Sequence, residues 1–385
     1  MTISQKLTIE LIRYEISGVS VSEELLGAVT DEVIESVYKL SLEQDEAYIV
    51  GSALSKLGLL SGDIKAAFFN EQLSSVYRYE RIKHELETLS EMFETEGIAF
   101  MPLKGSVIRE LYPKPEMRMS CDVDILIHPE DLERAGKLVE TKLAYEYYAR
   151  CGHEVSWFSP SGLRLELHFN LYEQDVAQKP LLDSVWDYAE LEEGSKYKYR
   201  MSNEFLVFYH VFHISKHFRT GGCGIKSFVD LWLIKTSFNY DEAKLNDLFQ
   251  KAALVKFGDA AFNTAMMWFA DEPGNDISIN MGDFVLNSGA FGTIENQVAI
   301  SQSKTGSRFK TLINRIFMPY KELKIIYPVI IKYPFLTPIF EVVRWCRIIF
   351  KDKMKKQMAI IKYNATITEE KQNEVAQLMK NLELM

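Results

Sequence analysis

Apolar residues recur at three- and four-residue steps along residues 1–75. Ile34, Val37 and Leu40 do so after the helix start Thr30-Asp31-Glu32-Val33, and Ser22-Glu23-Glu24-Leu25-Leu26 reads as another capped start. A longer helix is expected from Asn70 to Glu96, charged on one side, with Val76, Tyr79, Ile82, Leu86, Leu89 and Met92 on the other. Gly97 ends it, a short strand is expected at Ile98–Leu103, and Gly105-Ser106 then opens a helix through Tyr112. Val123, Ile125, Leu126 and Ile127 surround Asp122 and Asp124 as a buried strand. Pro129-Glu130-Asp131-Leu132 opens a helix through Leu143, its first turn acidic. A hairpin follows: His153–Ser159, a Pro160-Ser161-Gly162 turn, and Leu163–Leu171. In its second strand Arg164, Glu166 and His168 share one side, and Leu165, Leu167 and Phe169 the other.

Helical spacing returns from Ser202 to Phe218, where His210, His213 and His217 form one stripe, and stops at Gly221-Gly222-Cys223-Gly224. Ile225–Trp232 starts another helix, and residues 241–270 read as helical. Signals weaken over 271–300. From 301 to 360 the chain is apolar and aromatic, and Pro328, Pro334 and Pro338 are expected to break it into short pieces. Residues 369–385 read as a final polar helix.

At 385 residues, two or three domains are expected. The net charge of -10 argues against the whole molecule being a nucleic-acid binder, but residues 301–360 hold thirteen Lys/Arg against three Asp/Glu. That basic, aromatic segment fits packing on the acidic remainder, a nucleic-acid surface or a membrane surface. Cys121, Cys151, Cys223 and Cys346 have no paired spacing, so neither a disulfide framework nor a zinc site is expected. Glu10 and Arg13 interrupt the apolar residues of the N-terminus, and no uncharged apolar run reaches about 18 residues. A cytoplasmic location is the expectation.

Asp122 and Asp124 project from the same side of their strand and repel unless a cation or proton lies between them, which marks a place for a divalent metal. Gly105-Ser106 at a helix start offers backbone N–H groups to a phosphate. If the strands are neighbours, Glu166 adds a third carboxylate, a minimum for two magnesium ions over a triphosphate. Lys104 suits contact with a phosphate or a position beside the helix start. Arg118 suits a phosphate or the carboxylate cluster, and His168 a supporting hydrogen bond. His213 and His217 have metal-ligand spacing, but Ile214-Ser215-Lys216 between them lacks the Glu of a zinc-protease helix. A polar face lining a nucleotide cleft is the better reading, with Lys216 or Lys226 reaching phosphate. A surface ion pair between Lys226 and Asp230 is the competing one.

The set Leu103-Lys104-Gly105, Arg118, Asp122-Val123-Asp124-Ile125-Leu126 and Glu166-Leu167-His168 resembles the uncharacterised nucleotidyltransferase family, itself similar to the polymerase-beta-like nucleotidyltransferase superfamily. His213-Ile214-Ser215-Lys216-His217, Gly222, Gly224-Ile225-Lys226 and Asp230 resemble a later segment of that family, and the likeness covers about residues 75–240. The resemblance implies an α+β fold, a small mixed β-sheet core flanked by N-terminal and C-terminal helical regions. It implies Asp122, Asp124 and Glu166 as catalytic metal ligands for two Mg2+ ions, with Gly105 and Ser106 facing the triphosphate of an NTP. It implies transfer of an NMP to a hydroxyl acceptor (RNA, protein or small molecule) with release of pyrophosphate; the rival is a non-catalytic nucleotide-binding scaffold. Two departures stand out: Lys104 precedes a single Gly-Ser, and the third carboxylate is Glu rather than Asp. The expected division is a helical region over 1–75, the nucleotidyltransferase core over 76–195, a helical region completing the cleft over 196–300, and the basic tail over 301–385.

Overall fold

The computed structural model describes residues 1–172, 176–350 and 354–385, so residues 351–353 of the basic tail lie outside the described residues. Five strands form one mixed sheet: β1 (Phe100–Pro102), β2 (Asp122–Ile127), β3 (Glu146–Arg150), β4 (Glu154–Phe158) and β5 (Arg164–His168). Their spatial order is β1-β2-β5-β4-β3, with β2 and β5 parallel and the other neighbours antiparallel. The short turn at residues 160–162 forces β4 and β5 into an antiparallel hairpin, whereas β2 reaches β5 only through a helix and two strands, long enough for a parallel pairing.

Period-two alternation gives this sheet two unlike faces. Val123, Ile125 and Ile127 of β2, Leu165 and Leu167 of β5, and Val155 and Trp157 of β4 all enter one buried cluster. Ile82, Leu89, Met92 and Phe93 of the long helix Gly62–Glu96 close over that cluster, as do Leu132, Ala135 and Val139 of helix Leu132–Lys142. Each large side chain removed from water there contributes about 1.5–3 kcal/mol. The Trp157 indole N–H keeps a partner by donating to Glu140 Oε1 at 2.8 Å. With helices on one face, the opposite face is left to the polar positions, which settles an α+β fold.

Local expectations met the structure unevenly. The long helix starts at Gly62 rather than Asn70, because Phe68 is buried close against Gly51 of helix Ala47–Lys56 and extends the packed stretch. The helix after Gly105 covers only Gly105–Ile108, followed by a 3-10 turn at Arg109–Leu111. Tyr112, held extended as the residue before Pro113, stops it. Strand β3, exposed along an edge, and the two-stranded pair β6 (Ala189–Leu191) and β7 (Tyr199–Met201) were not expected. Residues 271–300 form two helices, Asp276–Leu286 and Ile294–Thr305, capped by Asn275 and Thr293.

Two compact units result. The first comprises Met1–Ile214 and Gly224–Ala290 and contains the sheet; the second comprises Ser215–Cys223 and Phe291–Met385. In the second, Pro334 opens a 3-10 turn (Pro334–Leu336), but Pro338 lies inside the first turn of helix Thr337–Phe350 and does not break it. Thr368 caps the final helix, Glu369–Asn381. Among the described residues, no helix is long and apolar enough to cross a membrane.

Candidate active site

Register places the polar residues in rows across β2, β5 and β4. Asp122 pairs with Arg164; Asp124 pairs with Glu166, which pairs with Ser156; and His168 pairs with Glu154. All therefore project from the face opposite the apolar cluster. β1 runs beside β2, and the Leu103 amide donates to the Asp124 carbonyl at 3.0 Å, so the chain turns at Lys104 directly alongside Asp124. Lys104 takes φ +48°, a conformation rare for any residue with a side chain. Its Nζ donates to Asp124 Oδ1 at 3.0 Å.

That oxygen is shared, since His168 Nε2 lies 2.7 Å from it. The same imidazole nitrogen lies 3.6 Å from Glu166 Oε2 and 3.8 Å from Glu154 Oε2, while Nδ1 is buried without a hydrogen bond among the described residues. Arg164 spans the other side of the cluster, 2.9 Å from Glu166 Oε1 and 3.3 Å from Glu154 Oε1. Tyr209 of helix Asn203–Phe218 is buried near Lys104, Asp124, Glu154 and Glu166, and burial pushes its hydroxyl up to about 12.

Crowding separates the two aspartates electrically. Burial, then the neighbouring Asp124 charge, raises Asp122 to about 6. Burial would raise Asp124 too, but the Lys104 ammonium and the His168 hydrogen bond overcome it and hold Asp124 well below the ordinary carboxylate range. Burial and Glu166 raise Glu154 to about 7. Burial opposes the His168 imidazolium, yet its bonds to Asp124 and Glu166 win and raise it.

These residues suit a cation. Asp124, Glu166 and His168 each offer a ligand atom within 4.8 Å of the others, and His153, Glu154 and His168 form a second such group. Asp122, on the row beside them, adds an oxygen donor whose carboxyl is raised by burial and by the Asp124 charge. His210, His213 and His217 belong to neither group.

At the glycine turn, three amides are engaged internally. The amides of Ser106, Val107 and Ile108 donate to the carbonyls of Leu103 and Lys104 at 3.0–3.1 Å, so they are spent inside the turn. Gly105 is buried, and a Cβ there would stand 2.6 Å from Arg118 Nη1. Arg118 forks onto Asp230, Nε to Oδ1 at 2.8 Å and one terminal nitrogen to Oδ2 at 2.7 Å, rather than turning to the three carboxylates. Tyr112 donates to the same Asp230 at 2.7 Å, and His210 lies 3.6 Å away.

Asp230 is buried beside Arg118, which overturns the surface pairing with Lys226. Lys226 instead bonds Asp45 Oδ2 at 2.8 Å and the Met119 carbonyl at 2.9 Å, and its charge still acts on Asp122. Lys216 falls in the second unit. Glu154, Arg164 and Tyr209 had no assigned role in the sequence. For the first two, the alternation along the hairpin was the available signal, because it places them on the side of Glu166.

The polar face of the mixed sheet thus carries acidic residues from two adjacent parallel strands beside a glycine turn. The sequence profile of the uncharacterised nucleotidyltransferase family matches residues 31–270, and the chain belongs to that family, a transferase of nucleotidyl groups. No curated protein and no solved structure matches the chain.

Proposed function

We propose that the protein transfers an NMP from an NTP to a hydroxyl acceptor and releases pyrophosphate, with Asp122, Asp124 and Glu166 holding magnesium, two ions in all, and His168 beside them. The observation that carries this reading is the register of Asp124 against Glu166 on neighbouring parallel strands, with Lys104 at the turn alongside. Magnesium bound there supplies charge neutralisation for the triphosphate and acidifies the acceptor hydroxyl.

The chain's own residues do the rest. Lys104 brings a fixed positive charge to the turn and, through Asp124, stays protonated; it offsets charge on the departing pyrophosphate. The Ser106 hydroxyl donates to a phosphate at the turn, and Lys226 adds positive charge near Asp122. Arg164 keeps Glu166 and Glu154 oriented, and His168 fixes Asp124. Glu154, raised to about 7 by burial and the neighbouring Glu166, accepts the acceptor's proton near neutral pH.

Purified protein incubated with each of four α-labelled NTPs, magnesium and a fractionated cell extract tests the proposal. Label should move to an acceptor with wild type and not with Asp124→Asn. If wild type labels nothing with any NTP, yet both proteins bind nucleotide equally, the reading of a non-catalytic nucleotide-binding protein replaces it.

A further inference from the structure

The second unit shows the same chemical peculiarity along most of its basic segment: apolar side chains turned outward after the inner face has been filled. Leu323, Tyr327 and Ile330 are buried together, with Met318, Leu336, Phe340 and Val343 packed against them. This small core already satisfies the pieces Tyr320–Ile326, Val329–Lys332 and Thr337–Phe350. Yet thirteen large apolar or aromatic side chains between Phe309 and Ile349 remain exposed.

On helix Thr337–Phe350 they have a pattern. Ile339, Val342, Cys346 and Ile349 are exposed and follow one another at steps of three, four and three, a continuous stripe along one helix face. Phe335, 74% exposed, extends the stripe by one turn before the helix. Phe340 and Val343, between the stripe positions, face the small core, so the helix is apolar on two sides. A helix with water on its outer side has no use for the second.

Charge selects what covers it. Residues 309–349 carry seven Lys/Arg against two Asp/Glu, and the exposed Lys310, Lys321, Lys332 and Arg347, against the one exposed acid Glu322, lie among the outward apolar residues. A second copy of this patch would set like charges against each other. A nucleic acid would be met chiefly by stacking aromatics, whereas eight of the thirteen exposed side chains are aliphatic and the other five are scattered from Phe309 to Phe335. Aliphatic side chains interspersed with lysine and arginine match an anionic lipid surface, where the first enter the acyl boundary and the second meet the headgroups. Thr337–Phe350 has 14 residues, and no helix of the described residues can cross a bilayer, so the segment lies on the membrane rather than spanning it.

We infer that the outward face of residues 309–349 docks the protein on an anionic bilayer surface. This goes beyond the transferase reaction and stands whether or not the proposed acceptor is right. Flotation of the full chain with vesicles of phosphatidylglycerol and phosphatidylcholine, and with phosphatidylcholine alone, tests it.

Binding should favour the anionic vesicles by about tenfold or more and weaken with added salt. Val342→Glu with Ile339→Glu should lower it by a further factor of about ten or more. Lys321→Glu with Lys332→Glu, both exposed, should lower anionic binding to the level seen on neutral vesicles while leaving the melting temperature unchanged. Equal binding of all variants, or no binding to anionic vesicles, overturns the inference. So does a salt-sensitive complex with single-stranded RNA in place of vesicle binding, or a dimer that Val342→Glu dissociates without any vesicle binding.

Discussion

Lys104 reaches Asp124 from a backbone conformation that lysine rarely adopts: Nζ donates to Oδ1 at 3.0 Å while φ stands at +48°. Strain at one residue is thus held in place by strand pairing on one side and an ion pair on the other. Replacing the lysine separates the two contributions. Lys104→Ala keeps the strain and loses the charge, whereas Lys104→Gly loses both. In denaturant titrations the glycine variant should be more stable than the alanine variant by about 1–2 kcal/mol. Both should lose nucleotidyl transfer by about a hundredfold or more, because the missing ammonium is common to them. Equal stabilities would show that the turn relaxes without cost.

Magnesium should stabilise the protein more as pH rises. Asp122 sits near 6 and Glu154 near 7 in the fold, both raised chiefly by burial. Between the ordinary carboxylate range of about 4 and those values, the folded chain keeps protons that the unfolded chain has released. Raising pH through about 4–7 therefore withdraws stability from the metal-free protein. His168, raised by its bonds to Asp124 and Glu166, has the same sign, and its contribution is lost as pH passes its raised value. Asp124 works the other way, but below the ordinary carboxylate range. Magnesium binds the ionised folded form and restores the loss. Thermal melts from about pH 4.5 to 8, with and without magnesium, should show a shift that grows with pH; a constant shift would mean that neither carboxyl titrates there.

The sequence carried the faces of β2 and β5 well, because alternation places Asp122, Asp124, Glu166 and His168 on one side whatever the neighbouring elements do. It carried the α+β class for the same reason: the complementary positions, Val123, Ile125, Leu165 and Leu167, demand helices over them. Long-range partners were not legible. Asp230 lies 112 positions from Arg118 and, four residues after Lys226 on one helix, had a nearer candidate partner. Nothing local announces the conformation of Lys104, which arises where β1 ends against β2. The edge strand β3 reads poorly because its side chains are mostly exposed and lack the alternation that a half-buried strand shows.

The Arg118–Asp230 fork is buried at both ends and receives Tyr112 as a third member. Removing one partner leaves a buried charge without its ion pair. Asp230→Ala should therefore cost about 3–5 kcal/mol in equilibrium unfolding, while Arg118→Lys, which keeps a charge but not the fork, should cost less. The ordering is the informative part. A lysine variant as damaged as the alanine variant would mean that fork geometry, rather than charge, dominates.

Gly105 and Arg118 form the sharpest test of the turn. A Cβ at position 105 would meet Arg118 Nη1 at 2.6 Å, and the end of an arginine would ordinarily swing aside. Here it cannot, because the same guanidinium is pinned by two bonds to Asp230. Gly105→Ala should therefore cost about 1–3 kcal/mol in the wild-type background. The backbone at Gly105 is helical, with no positive φ to penalise alanine, so the cost is steric and should vanish once the obstacle is gone. In an Arg118→Ala background the same substitution should be neutral or slightly stabilising, since alanine is the better helix former. The double-mutant cycle then shows a coupling of about 1–3 kcal/mol, and strict additivity would mean that the turn and the fork are independent.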